Sequence, residues 1–505
     1  MFKKLNGRKI YSSLILTLLI TMLLTAAVFS SGAEAEKPKY VFFFIGDGLS
    51  SAQATLAEYY TQFENREEPA HDYEEHEESY IDHSEEKHSD RLMMHRLDHE
   101  GSTRTSGADT LVPGSAQTAT ALATGVKTDR NVVSLDPEGN ELKTILLEAQ
   151  KKGIATGLVS TARLTHATPA AFGSNVADRG MENEIAEHYL MNEIDYLVGG
   201  GARHFLPESN SASKRSDDKN MFQEFADAGY QVFESKEETD SFRDYQPSAG
   251  DKVLYTPTNS HVSYEIDRDD SQVPSLSEMT QKGIDLLSQD EDGFMMMIEA
   301  GRIDHAAHDN DAATTIHDTL ALDNAVKTAF KFYSEHPDET LIIVAGDHET
   351  GGLGLNNCEG MEYDYFLDLS PVKEAKASIE EGFEYTGDRA QVYADLEADF
   401  GVKDLTDEEK EMLEKAMDLQ DEKGSEADVS EFGAHWPQAP WISPVQSTIA
   451  HITSKRSEVG WTTSAHTGAI IPIRTHGVGA EEFTSALDNT DVALITSELL
   501  DIDLD

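Results

Sequence analysis

Five apolar stretches, Tyr40–Ile45, Ile154–Val159, Ile194–Val198, Phe294–Ile298 and Leu341–Ala345, are short and nearly continuous rather than alternating. A strand with one wet face alternates apolar and polar residues; a run apolar at every position needs burial on both faces, as in the interior of a parallel sheet. Helical patterns lie between the runs. Ile316, Leu320, Val326 and Phe330 recur at roughly helical spacing, and the pattern from Leu142 to Lys152 stops at Gly153, as a glycine-capped helix does. Strands alternating with helices predict an α/β three-layer sandwich with a mostly parallel central sheet, whose ligands gather at the carboxyl ends of the strands. Asp47, Glu299 and Asp347 all fall at such ends.

At 505 residues the chain can bury a large core, and it reads as one domain with insertions. Its 40 basic and 94 acidic residues give a formal net charge of −54, which argues against duplex nucleic acid and anionic membranes as partners. An anionic substrate must then meet a locally positive site, which bound cations supply. So much negative charge repels itself in dilute salt, but the Debye length shrinks from roughly 10 Å at 0.1 M to about 3 Å at 1 M. The composition suits a salt-adapted, halophilic organism; a merely soluble acidic protein is the plainer alternative.

Lys3, Lys4, Arg8 and Lys9 precede an apolar run from Leu14 to Phe29, followed by Ala33-Glu34-Ala35. This reads as a signal peptide over residues 1–35, with the mature domain, 36–505, exported to the periplasm or beyond and not stably membrane-associated. An uncleaved anchor is the alternative, for which the run is a little short. Cleavage leaves 36 basic and 93 acidic residues, a net charge of −57, and Cys358 is the only cysteine, so no intrachain disulfide forms. Residues 62–91 form an acidic, histidine-rich insertion with His71, His76, His83 and His88 and little apolar surface. A second insertion, about 360–455, holds a capping-box helix start at Thr406 and the rigid aromatic stretch Trp436-Pro437-Gln438-Ala439-Pro440-Trp441. It reads as a helical cap, a dimer contact or surface elaboration.

The chemistry-bearing residues follow the apolar runs. Asp304 and His308 stand four apart, so one helical turn aims both at one ion, with His305 between them pointing elsewhere. Asp347-His348 adds a second carboxylate and imidazole, and His466 a third imidazole from far along the chain. Ser115 opens a stretch of small helix formers closed by Gly125. A serine at a helix N-terminus beside a cation can act as a nucleophile; alone, it reads equally as a helix cap.

Together Ile45-Gly46-Asp47-Gly48, the Ser115 helix, Thr165-His166-Ala167-Thr168-Pro169-Ala170, Asp178-Arg179, Glu299 to Asp304, Asp347 to Gly352 and His466-Thr467-Gly468 resemble the alkaline phosphatase family, in the family's order and over about residues 40 to 485. The resemblance implies a homodimeric hydrolase of small-molecule phosphate monoesters working through a phosphoserine at Ser115. It implies two Zn2+, one held by Asp304, His308 and His466 and the other by Asp47, Asp347 and His348, and one Mg2+ held by Asp47, Thr168 and Glu299. It also implies that Arg179 grips the phosphate. The division agrees with ligand chemistry, since nitrogen-containing sets suit zinc and all-oxygen sets magnesium.

Three departures stand out. Gly114 replaces the acidic residue that usually precedes the nucleophile and orients the arginine. His166 and His305, candidate supporting residues, occupy positions that vary within the family, where imidazoles can weaken magnesium or admit zinc. The acidic insertion has no family counterpart. A phosphodiesterase or sulfatase of the same superfamily is the nearest rival, but the first typically uses threonine and the second a cysteine-derived nucleophile. An exported cation-buffering protein would need neither Ser115 nor Arg179.

Overall fold

The computed structural model describes residues 37–64, 91–356 and 367–504. The expected signal peptide, nearly all of the acidic insertion with its four histidines, and Cys358 lie outside the described residues.

The first apolar run forms β1 (Tyr40–Gly46), buried along its whole length. Successive side chains on a strand point to opposite faces. Val41, Phe43 and Ile45 accordingly enter one hydrophobic core and Tyr40, Phe42 and Phe44 another. That two-sided demand is why the run does not alternate. The same holds for β7 (Phe294–Ala300) and β8 (Thr340–Gly346), which flank β1 in parallel register.

With β2 (His99–Arg104), β3 (Ala155–Arg163), β4 (Tyr196–Gly200), β5 (Tyr230–Phe233), β6 (Lys252–Tyr255), β9 (Ile471–Gly477) and β10 (Ala486–Asp488), they form a ten-stranded sheet. The order is β10-β2-β9-β8-β1-β7-β3-β4-β6-β5, and only β9 runs against its neighbours. The expected fold class is therefore present, with one antiparallel strand the apolar runs did not announce. The run at Ile194 starts its strand two residues later and extends through Gly199 and Gly200, where a side chain on Gly200 would strike the Ser260 carbonyl.

Helices α1 (Ser51–Glu64), α5 (Leu276–Leu287) and α7 (Ala312–Glu335) pack on one face of the sheet. Helices α2 (Ser115–Thr124), α3 (Ile145–Lys151), α4 (Ala167–Gly173) and α11 (Asn489–Leu500) cover the other. The short α6 (Arg302–His308) follows β7 directly.

The later insertion carries α8 (Arg389–Asp399), α9 (Asp407–Lys423) and α10 (Pro444–Arg456) around a core of its own that includes Leu396, Leu413, Met417 and Ile449. The expected capping box is made: Thr406 Oγ accepts from Glu409 N at 3.2 Å, and Glu409 returns a carboxylate to Thr406 N at 2.7 Å. Glu409 also pairs with Arg456, joining α9 to α10.

Candidate active site

The carboxyl ends of β1, β7 and β8 bring Asp47, Glu299 and Asp347 together, all completely or almost completely buried. Gly48, at φ +74°, lets the turn after β1 pass within close range of α6; a Cβ there would lie 2.8 Å from Asp304 Cα. Gly48 N and His348 N both donate to Asp347 Oδ1, at 3.1 and 2.8 Å, and Thr118 Oγ donates to its Oδ2 at 3.0 Å. Asp347 is thus aimed by the turn and by α2.

Two groups of ionisable side chains share Asp47: Asp47 with Asp347 and His348, and Asp47 with His166 and Glu299. A third gathers Asp304, His348 and His466. His348 Nε2 lies 3.4 Å from Asp47 Oδ1 and 3.3 Å from Asp347 Oδ2. On the far side, His308 Nε2 is 3.3 Å from Asp304 Oδ2 and His466 Nε2 is 3.5 Å from Asp304 Oδ1.

The histidine tautomers bear on what fits there. His308 Nδ1–H donates to the Ser464 carbonyl at 2.6 Å and His466 Nδ1–H to the Pro113 carbonyl at 2.7 Å. Both Nε2 atoms then carry lone pairs when neutral, and they face each other at 3.1 Å. Two lone pairs so placed repel unless a metal cation, or the proton that Asp304 favours on His308, lies with them. A carbonyl behind each ring is the arrangement that orients metal-binding histidines.

The oxygens make the same argument. Both carboxylate oxygens of Asp47 and one of Glu299 are buried without a hydrogen-bond partner, a costly state that a cation relieves. Burial, then the charges of Asp347, Asp304 and Glu299, push Asp47 well above the usual carboxylate range. Burial likewise lifts Asp347 and Glu299, each to about 7. Burial works the same way on Asp304, but His308, His466 and His348 outweigh it and hold that carboxyl well below its usual range. Burial lowers His308, yet Asp304 overcomes it and lifts the imidazole to about 9. The site without cations is a set of unbalanced charges, and these donors fit divalent ions.

Ser115 is the first residue of α2, with Gly114 as the N-cap. Its Oγ satisfies no backbone N–H of the helix; it lies 3.3 Å from His348 Nε2. The plain reading of this serine as a cap therefore does not hold. Arg179 lines the same cavity of about 450 Å³, together with Asp304, His308 and His466. Gly114 leaves open space where a side chain would stand, and Arg179 is instead held by His166, Nη2 to Nε2 at 2.7 Å. An arginine can only donate, so His166 Nε2 accepts and the ring's proton sits on Nδ1. So bonded, His166 has its Nδ1–H buried without a hydrogen-bond partner.

Thr168 is buried on the first turn of α4. His305 joins none of these ionisable groups; its Nδ1 accepts from Arg302 at 2.9 Å and its ring stands 4.4 Å from His261. Sequence reasoning missed the supporting hydroxyls: Thr118, Thr350, which donates to Asp304 at 2.5 Å, and Ser160, which donates to Glu299. It also missed Arg163, paired with Glu182 and His261, and Arg302, stacked 3.5 Å over the Tyr264 ring. Small hydroxyl residues carry no signal of their own. Arg302, inside the Glu299–Asp304 stretch, was within reach.

The family model described as Alkaline phosphatase matches residues 38–502. Alkaline phosphatase 3 of Bacillus subtilis is 34% identical over 388 residues, 76% of each chain. The repressible alkaline phosphatase of Saccharomyces cerevisiae is 28% identical, covering 97% of this chain and 86% of that one. The crystal structure of Thermus thermophilus alkaline phosphatase superposes with a TM-score of 0.73 at 28% identity, covering 93% of this chain and 92% of that one.

Proposed function

The chain belongs to the alkaline phosphatase family of metal-dependent phosphatases, and from that premise we propose that it hydrolyses phosphate monoesters through a phosphoserine at Ser115. One observation carries the reading: Ser115 Oγ stands beside His348, between groups of carboxylates and imidazoles whose buried atoms lack partners, in a cavity shared with Arg179.

In this reading Asp304, His308 and His466 hold one Zn2+, Asp47, Asp347 and His348 a second, and Asp47, Thr168 and Glu299 a Mg2+. Bound divalent ions supply Lewis acidity, which makes serine and water nucleophilic at moderate pH and offsets charge on the phosphoryl and leaving oxygens. The rest is done by side chains. Arg179 grips two non-bridging oxygens through its planar fork and holds the phosphorus in line with Ser115 Oγ. The Oγ–P bond forms as the bond to the leaving alcohol breaks; water then attacks the phosphoserine, restoring the serine and releasing phosphate. The α2 N-terminus favours negative charge at Oγ during both steps. His166 keeps Arg179 in place, the task that falls to an acidic residue where the family has one at the position of Gly114.

Colour release from an aryl phosphate monoester, run beside the matching diester and sulfate, tests the reading. We expect turnover of the monoester and little of the other two. Faster release from the diester or the sulfate would reject it.

Export after cleavage at Ala35, a homodimer and salt adaptation belong to the same reading. Among the described residues no helix is long and apolar enough to cross a membrane. With a mature net charge of −57, screening should favour the compact state. The melting temperature of the metal-saturated protein is expected to rise between roughly 0.1 M and 1 M sodium chloride, the span over which the Debye length contracts about three-fold. A flat or falling curve would mean that the acidic surface is no salt adaptation.

A further inference from the structure

Every residue lining the Ser115 cavity is polar or charged except Trp441. It comes from the later insertion, not from the strand ends that supply Asp47, Glu299 and Asp347 or from α2, which supplies Ser115. Its indole is fixed: Nε1–H donates to buried Asp309 at 2.8 Å, and the ring meets the His308 ring edge-on, centroids 5.2 Å apart. The turn that carries it is braced as well. Gln438 donates to the Ala427 and Ile442 carbonyls, Ser464 donates to the Gln438 carbonyl, and Ser443-Pro444 starts α10 immediately afterwards. Yet Trp441 remains 51% exposed. A large flat ring, held still and left uncovered at the mouth of a polar cavity, is free to receive a ligand.

We propose that Trp441 is the platform on which the leaving group of the substrate stacks, so that the enzyme favours monoesters of ring-bearing alcohols, aryl or nucleoside, over those of small alkyl alcohols. The inference rests on the monoesterase reading and sharpens it. The polar walls, with Ser115 and Arg179, match the phosphoryl group, so the part of the ester left to meet an apolar face is the alcohol. An alkyl chain gains little from a flat ring, whereas an aromatic or nucleobase ring gains offset stacking. Trp441 also borders a neighbouring groove that includes Tyr385 and is otherwise mostly polar, which leaves room beyond the cavity for a group as large as a nucleoside.

The test compares wild type with Trp441→Ala and Trp441→Phe on phenyl phosphate, a nucleoside monophosphate and glycerol phosphate. For the alanine variant kcat/KM should fall roughly ten-fold on the two ring-bearing esters, through KM, since stacking on an aromatic side chain is worth about 1–3 kcal/mol per base. The loss on glycerol phosphate should be several-fold smaller than on the ring-bearing esters. Phenylalanine, which keeps a ring but lacks the N–H to Asp309, should restore much of the ring preference. An equal loss on all three esters would make Trp441 a positioning residue acting through Asp309 and His308, and would overturn the proposal; so would no loss on any. Equilibrium affinities of phenylphosphonate and methylphosphonate, which are not turned over, read the same contact without catalysis. Wild type should prefer the phenyl compound and the alanine variant should not. That comparison stands even if no monoester is hydrolysed, an outcome that would reject the monoesterase reading alone.

Discussion

Replacing Ser115 by alanine is expected to abolish the trapped phosphoenzyme and to lower hydrolysis of an aryl phosphate by several orders of magnitude, as loss of the nucleophile does in other covalent hydrolases. Folding and metal content should be unchanged, for reasons specific to this position. Gly114, not Ser115, is the N-cap of α2, so no cap is lost, and alanine is the best helix former. The Thr118 hydroxyl bonds to the Ser115 main-chain carbonyl, which the substitution leaves in place, and it still reaches Asp347. Only the Oγ beside His348 disappears. Acid quenching with labelled phosphate reads the outcome directly. Label retained on the alanine variant at the wild-type level would remove Ser115 from the role.

What was legible in the sequence follows from local physics. The runs of β1, β7 and β8 could be read because burial on both faces forbids polar residues, and Asp304 with His308 because one helical turn fixes their relation. Thr406 with Glu409 was legible for the same reason. The antiparallel strand β9 and its neighbour β2 were not. His99–Arg104 reads His-Glu-Gly-Ser-Thr-Arg, mostly polar, and becomes a strand because β9 pairs with it along five residues on one side and β10 along three on the other. His466 depends on contacts just as distant. It is held by a two-residue bridge in which it pairs with Thr350 and Thr467 with Glu349, and by the Pro113 carbonyl, neither of which any local pattern foretells.

His166 shows the limit most clearly. The sequence marks it as a departure near the third metal group, but only the structure brings it against Arg179 and fixes its proton on Nδ1. The consequence of Gly114 changes with it. A missing carboxylate suggested a loosely placed arginine, whereas Arg179 has a neutral imidazole as its partner: burial, then the charges of Arg179 and Arg163, keep His166 well below the usual histidine range. Trp441 was visible as part of a rigid aromatic stretch, without any sign that it would reach a cavity whose other walls come from residues 115 to 308, Glu380 and His466.

Asp47→Asn should lose two equivalents of bound metal where His466→Ala loses one, because Asp47 alone belongs to two of the three ligand sets proposed above, one with Asp347 and His348 and one with Thr168 and Glu299. The same substitution has an opposite effect once metal is stripped away. In the metal-free protein Asp347 and Glu299 are each lifted to about 7, and burial with its carboxylate neighbours raises Asp47 well above the usual carboxylate range. A carboxyl whose pKa is higher in the fold than in the unfolded chain means that the fold binds more protons. Its stabilising contribution is complete below the unfolded value of about 4 and is lost as pH rises toward the folded value. The carboxyls' contribution to the stability of chelated wild type therefore falls as pH rises from roughly 4 to 7. Buried His166, His305 and His348, held well below the usual histidine range, contribute stability that rises with pH toward about 6.5. Bound cations should cancel the carboxyl part by satisfying the same oxygens. An asparagine carries no charge into that cluster, so chelated Asp47→Asn should melt above chelated wild type at pH 8 while the metal-loaded order is reversed. Metal analysis after gel filtration, paired with melting curves in chelator, reads both halves. Loss of a single equivalent from Asp47→Asn would mean that Asp47 does not bridge two ions, and an unchanged melting temperature in chelator would mean that the carboxylates find other relief from their repulsion.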